Sequence, residues 1–148
     1  MREAFNEEIY RKIPEDIPGV SWEAISAVDT TVSGIVALKK KLIGRVDNSS
    51  YPGVSVTIDL TLVTPAEQQN KGLVMKHLGY DFPPEIELSE PFHQWKQQVL
   101  QKGWGYATYI PTSVHPDHAV GLTKGIIGLV NRTHLRDADD WGALRAWA

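Results

Sequence analysis

The stretch from residue 73 to residue 110, LVMKHLGYDFPPEIELSEPFHQWKQQVLQKGWGYATYI, predicts a strand, a helix and a second strand. Residues 73–77 and 106–110 are short apolar runs of strand length. Between them, Ser89 is suited to cap a helix and Gly103 to end it. A strand–helix–strand unit of this kind joins parallel strands, so the two strands are predicted to pair in parallel.

Upstream of this unit the sequence predicts further strands. Residues 54–63 alternate apolar and polar side chains, which is typical of an antiparallel strand near a sheet edge with one buried face. Residues 25–32 and 36–46 are predicted as two earlier strands, with a turn at Ser33 and Gly34. The apolar residues of the second of these strands share one face: Val36, Leu38, Leu42 and Val46.

Antiparallel strands that lead into a parallel βαβ unit predict an α/β fold with three layers. The order matches the N-terminal portion of an α/β-hydrolase sandwich, although periodicity alone also permits another three-layer α/β fold. Residues 1–20 are interpreted as a lead-in segment and residues 21–148 as the N-terminal part of the domain.

The last ten residues, DDWGALRAWA, predict the start of a helix. Asp139 or Asp140 is suited to cap it, and Trp141, Leu144 and Trp147 recur at helical spacing. There is no Gly at a C-cap and no Pro beyond it. We therefore expect a domain that is incomplete at its C-terminus.

The composition narrows the range of functions. A formal charge of −3 lacks the basic excess that nucleic acid or an anionic membrane requires. No apolar run approaches the length of a membrane span, and the first ten residues are too polar for a secretory signal. The absence of cysteine excludes disulfides, a thiolate nucleophile and Cys-based zinc sites.

The sequence contains no Gly-x-Ser-x-Gly motif, the nucleophile turn of many serine hydrolases. Ser33 and Ser113 fall in predicted loops, which lack the strand-to-helix setting of such a turn. Leu78 and Gly79 follow a predicted strand and precede a helix, where backbone N–H groups can stabilise an oxyanion. The alternative for Leu78 and Gly79 is an ordinary turn at a strand end, because the extended His-Gly-Gly-Gly form of the motif is missing.

His115, Asp117 and His118 invite comparison with a metal site. A zinc site needs three or four ligands in good geometry, and Pro116 breaks the helical spacing that would supply them. A polar surface loop is therefore favoured, and no metal site is assigned. Because the loop follows the carboxyl end of a strand, we expect it to border the substrate cleft.

Three segments resemble bacterial α/β hydrolases of the glucuronoyl esterase and acetylxylan esterase group: residues 103–108, 121–131 and 140–148. The resemblance implies a serine esterase, without a cofactor, that cleaves a glucuronoyl or acetyl ester on plant cell-wall xylan. It also implies an extracellular or periplasmic location. The family's Ser, acid and His would all lie beyond residue 148, so these 148 residues are expected to end before the nucleophile strand and to be inactive alone.

Two alternatives to the esterase hypothesis stay open. The chain could be a non-catalytic α/β binding or interaction module, in which case residues 106–110 would form a sheet edge that needs cover. It could also be a hydrolase-like subunit that a second chain completes. The sequence leaves the oligomeric state undetermined.

Overall fold

The computed structural model describes residues 11, 13–67, 73–79, 91–118, 122–132, 134 and 140–147, without the side chains of residues 91–93. This part of the chain forms nine elements: β1 (Val20–Val32), β2 (Ile35–Val46), β3 (Thr57–Pro65), β4 (Val74–Leu78), α1 (Pro91–Gln101), β5 (Gly105–Tyr109), α2 (Pro111–Val114), α3 (Gly125–Asn131) and α4 (Ala143–Trp147). The predicted lead-in falls largely outside the description, as do the proposed caps Ser89 and Asp139.

The chain divides into two compact units. The first unit comprises Met1–Ser21, Gly44–Ile58 and Pro111–Ala148. The second unit comprises Trp22–Ile43 and Asp59–Ile110, and it therefore contains the whole predicted strand–helix–strand stretch.

The five strands form a mixed sheet in the order β1-β2-β3-β5-β4. β4 pairs with β5 in parallel, with Val74 opposite Gly105 and Leu78 opposite Tyr109. β3 pairs with β5 in the antiparallel direction. The predicted parallel unit and the antiparallel strand before it are therefore both confirmed.

Two predictions about sheet edges are wrong. β3 is the middle strand of the five, although its alternating sequence suggested a position near the edge. β5 lies between β3 and β4, so residues 106–110 are not an edge, and β4 is the edge strand among the strands of the described residues. The alternating sequence suggested that only the face with Leu60 and Leu62 is covered, but these two side chains are half-buried and Val63, on the opposite face, is buried.

β1 and β2 are joined by a two-residue turn at Ser33 and Gly34, with φ angles of 48° and 83°. Positive φ at both positions defines a type I′ turn, whose twist suits an antiparallel hairpin. The apolar face predicted for β2 is wrong at its start: Val36 is 61% exposed, whereas Ala37 is fully buried. Ala37 belongs to the core that packs beneath α1, and this contact decides which face is covered.

Helix α1 covers one face of the sheet in the second unit. Its residues Val99 and Leu100 are buried with Val63 and Tyr106. Burial of each such side chain stabilises the fold by about 1.5–3 kcal/mol. The amide of Gly103 donates to the Leu100 carbonyl (2.9 Å) and that of Trp104 to the Val99 carbonyl (3.1 Å). These two bonds form a Schellman motif, which confirms Gly103 as the helix stop.

In the first unit the three short helices contact one another. Helix α4 begins at Ala143, not at Asp140, which forms an isolated β-bridge. The predicted apolar helix face is also wrong, because Trp141 is buried before the helix begins and Leu144 is 60% exposed. Instead, the indole of Trp147 fixes the helix by donating a hydrogen bond of 3.0 Å to the His115 carbonyl.

Candidate functional site

The carboxyl end of β4 carries the two residues that the sequence suggests for an oxyanion loop. Leu78 is 38% exposed and pairs in register with Tyr109. Gly79 is buried, and its N–H donates to the Tyr109 carbonyl at 2.7 Å. This amide therefore extends the ladder between β4 and β5, as in the strand-end alternative. The oxyanion role of Leu78 and Gly79 stays a prediction.

Gly79 lies where a larger residue does not fit. A Cβ atom at this position would be 2.5 Å from the Thr108 Cγ2 atom and 3.4 Å from the Tyr109 oxygen. The methyl group of Thr108 is thus the main obstacle to a side chain here. Because Gly79 has no side chain, its backbone can pack closely against Thr108 and Tyr109 of β5 where β4 ends.

Three rings lie between β4, α1 and β5. His77 stacks on Trp95 with a centroid distance of 4.6 Å, and Trp95 meets Tyr106 edge-on at 5.2 Å. The ammonium of Lys96 lies 5.8 Å from the Trp95 ring centre and 5.9 Å from that of Tyr106. Sequence analysis missed this cluster, since its members come from three elements and no local motif links them.

Burial is the main cause of the pKa shifts of His77, Lys96 and Tyr106 in this cluster. Desolvation, and secondarily the charge of Lys96, lowers the pKa of His77 below its ordinary value of 6.5. Burial also raises the pKa of the Tyr106 hydroxyl and, together with the charge of Lys39, lowers that of Lys96. The neutral form of His77 is therefore favoured in the folded protein.

The predicted cleft-border residues lie in the first unit and differ in exposure. Asp117 and His118 are exposed, as expected for a polar loop, but His115 is only 1% exposed. Gly125 comes so close that a Cβ atom there would be 2.9 Å from the His115 Nδ1 atom. His115 is therefore part of the packing between α2 and α3. The cleft-border role of the three residues stays a prediction.

Metal ligands and membrane-spanning helices were both sought in the described residues. These residues contain no group of three or more His, Asp or Glu side chains that could hold a metal ion. Within the same part of the chain, none of the helices combines the length and apolarity that a membrane span needs.

Ser33 and Ser113, the two serines predicted to lie in loops, have different backbone settings. Ser113 lies within helix α2 and not in a loop as predicted. Ser33 is the one serine of the described chain with positive φ, and it belongs to the hairpin turn between β1 and β2. Ser33 therefore connects two strands, and Ser113 lies inside a helix and not at the turn that enters it.

A mixed sheet with a parallel βαβ unit at one end defines the chain as an α/β protein. No family model matches the sequence, and comparison with curated proteins gives no match. Among solved structures, the chain is similar to a CE15 glucuronoyl esterase from Teredinibacter turnerae T7901, with 32% identity and a TM-score of 0.73. The match covers 99% of this chain and 37% of the esterase.

Two further structures share the fold. A glucuronoyl esterase from Solibacter usitatus matches 98% of this chain and 43% of its own length, with 23% identity and a TM-score of 0.71. A promiscuous CE15 esterase from a marine bacterial metagenome has 18% identity and a TM-score of 0.61. That match covers 99% of this chain and 43% of the esterase. The resemblance to glucuronoyl esterases is therefore confirmed, and the chain spans less than half the length of the esterases it matches.

The contact between Gly79 and Thr108 yields a prediction about stability. Gly79→Ala should lower the free energy of unfolding by about 1–3 kcal/mol, because the new methyl group overlaps the Thr108 methyl group. Thr108→Ser removes that obstacle, so the double variant should recover most of the loss. Urea denaturation of the wild type, both single variants and the double variant measures the coupling. Additive effects of the two substitutions would contradict this contact.

His77 yields a prediction about pH. Its pKa is lower in the folded than in the unfolded chain, so the stability due to neutral His77 is fully present above about pH 6.5 and is lost as pH falls through the folded pKa. Urea denaturation between neutral and mildly acidic pH should therefore show a smaller loss of stability for His77→Gln than for the wild type. The exposed His118→Gln is the matched control and should retain the wild-type slope. Equal slopes for His77→Gln and the wild type would refute the prediction.

Proposed function

We propose that the chain forms part of the scaffold of a serine carboxylic-ester hydrolase that acts on a glucuronoyl or acetylxylan ester of plant cell walls. The observation that carries the proposal is the similarity to the Teredinibacter turnerae esterase, at 32% identity over 99% of this chain. Residues 21–148 would then be part of an α/β-hydrolase domain with three layers. Its reaction would be acyl transfer to water through an acyl-enzyme.

The nucleophile, acid and base of this reaction are proposed to come from polypeptide other than these 148 residues. The sequence has no Gly-x-Ser-x-Gly motif, and the described serines Ser33 and Ser113 lie in a hairpin turn and within a helix. An exposed serine at a strand-to-helix turn is what the family's chemistry needs. The chain alone should therefore not hydrolyse esters.

The outer edge of β4 is the proposed place at which the remaining sheet continues. The Leu73 carbonyl accepts from Gly105, and the Gly79 amide donates to Tyr109, so the odd-numbered residues of β4 direct their backbone groups toward β5. Val74 and Leu78 alternate with these residues, so their backbone N–H and C=O groups point away from β5, toward the outer edge of β4. Because β3 and β4 already flank β5, a further strand can join the parallel pair of β4 and β5 only beside β4, which ends the described sheet on that side.

A chimera tests the proposed function. The segment of the Teredinibacter turnerae esterase that matches this chain is replaced with the 148 residues, and hydrolysis of a glucuronate methyl ester is measured. The chimera should hydrolyse the ester, whereas the 148-residue chain alone should remain at the background rate. Turnover by the chain alone would overturn the claim that it lacks the nucleophile. A folded but inactive chimera would overturn the proposed scaffold role.

Val74 provides the matched variants for this chimera. Val74→Pro removes an N–H that points away from β5, so it should leave the pairing of β4 with β5 intact while it abolishes the activity of the chimera. Val74→Ala keeps that N–H and should retain most of the activity. Equal activity of the two variants would contradict the role of the β4 edge.

A further inference from the structure

β1 ends the described sheet on the side opposite to β4, and β2 is its one neighbour among the described strands. Strand edges that stay unpaired are commonly protected by lysine, by proline or by a bulge. The 13 residues of β1, VSWEAISAVDTTV, contain neither lysine nor proline. The outer edge of β1 therefore lacks the usual side chains that oppose pairing with another strand.

The two faces of β1 are also uncovered over most of its length. Close to the hairpin turn, Val32 packs against the core that α1 covers. Residues 20–29, by contrast, are all exposed, on both faces of the strand. Trp22 and Val28 share one face and Ile25 lies on the other, and these three side chains are 49–53% exposed. A partner strand along this edge would remove apolar surface from water on both faces.

A second copy of β1 is the partner that the sequence of this edge suits. Two antiparallel copies that share an axis at Ile25 place this residue opposite itself and Trp22 opposite Val28 of the second copy. An aromatic side chain opposite a β-branched one is among the pairs that stabilise antiparallel strands. With the axis on a residue, opposite positions are both even or both odd, so outward N–H and C=O groups meet outward groups along the whole pair.

The two acidic residues of β1 favour this alignment over the next one. With the axis as described, Glu23 lies opposite Ala27. Asp29 lies opposite Ser21, so no two acids meet directly. An axis shifted by one residue to Ser26 would place Glu23 directly opposite Asp29 at both ends of the pair. Like charges directly opposite each other destabilise a strand pair, so the shifted alignment is disfavoured.

The pair would be long enough for a specific dimer. It aligns residues 20–30 of both copies, which is about 35 Å of strand. Every second residue directs its N–H and C=O groups outward, so about ten hydrogen bonds can form between the copies. About ten direct hydrogen bonds is also typical of a specific protein–protein interface.

We propose that the chain forms a dimer with two-fold symmetry, in which β1 of one copy pairs antiparallel with β1 of a second copy and Ile25 lies on the axis. The two sheets then form one continuous sheet, and both exposed edges of β1 are covered. The proposal concerns the end of the sheet opposite to β4, so it does not rest on the proposed esterase function.

Sedimentation equilibrium of the 148-residue chain over a range of concentrations tests the proposal. The chain should sediment as a dimer in reversible equilibrium with the monomer. Ile25→Glu should raise the dimer dissociation constant about tenfold, because two glutamates would face each other at the axis. Val36→Glu is the matched control and should leave the constant unchanged, since Val36 is exposed on β2, between β1 and β3.

Three outcomes of the sedimentation experiment would overturn the proposal. The first is a wild-type chain that stays monomeric at every concentration. The second is a dissociation constant for Ile25→Glu equal to that of Val36→Glu. The third is a dimer that Val74→Pro disrupts and Ile25→Glu does not, because the copies would then meet at the outer edge of β4.

Cysteine cross-linking tests the alignment while the edge stays intact. The chain has no cysteine, so one introduced thiol reports on one position. Opposite residues of antiparallel strands have Cβ atoms about 4.5–5.5 Å apart, close to the span of a disulfide, so Ile25→Cys should give a covalent dimer on mild oxidation. Ala27→Cys is the control: it is also exposed on the same face, but its two copies would lie about 14 Å apart along the strands. Cross-linking at Ala27→Cys equal to or above that at Ile25→Cys would refute the alignment and with it the proposal.

Discussion

The parallel pairing of β4 with β5 beneath α1 is the constraint on which the rest of the second unit depends. The Schellman motif at Gly103 ends α1 and turns the chain back toward the sheet. The Gly105 amide then bonds to Leu73 at one end of the pair, and the Gly79 amide bonds to Tyr109 at the other. With both ends closed, Tyr106 faces the helix and packs against Val99 and Leu100. The same register places His77 against Trp95.

The strand–helix–strand unit could be predicted because its signals are local. Apolar runs of strand length, the periodicity of the helix and Gly103 at its end all lie within forty residues of one another. The neighbours of each strand could not be predicted in the same way. The burial of Val63 and Ala37 depends on α1, which lies far away in sequence, and the alternation of β3 alone does not reveal that it is the central strand.

The surroundings of the candidate site residues could be predicted only in part from the sequence, for a similar reason. The segment after β4 could be singled out by its place between a strand and a helix, but the donation of the Gly79 amide to Tyr109 depends on the register. The burial of His115 results from Gly125 and Trp147, which approach it from later helices.

Hydrogen–deuterium exchange of individual backbone amides tests the central place of β5 most directly. If β5 lies between β3 and β4, the amides of Tyr106, Ala107 and Thr108 should exchange slowly. Along β4, Met75 and His77 should be protected while Val74 and Leu78, whose amides point to the outer edge, exchange fast. Uniform exchange along β4, or exchange in β5 as fast as at Val74 and Leu78, would contradict this account of the sheet.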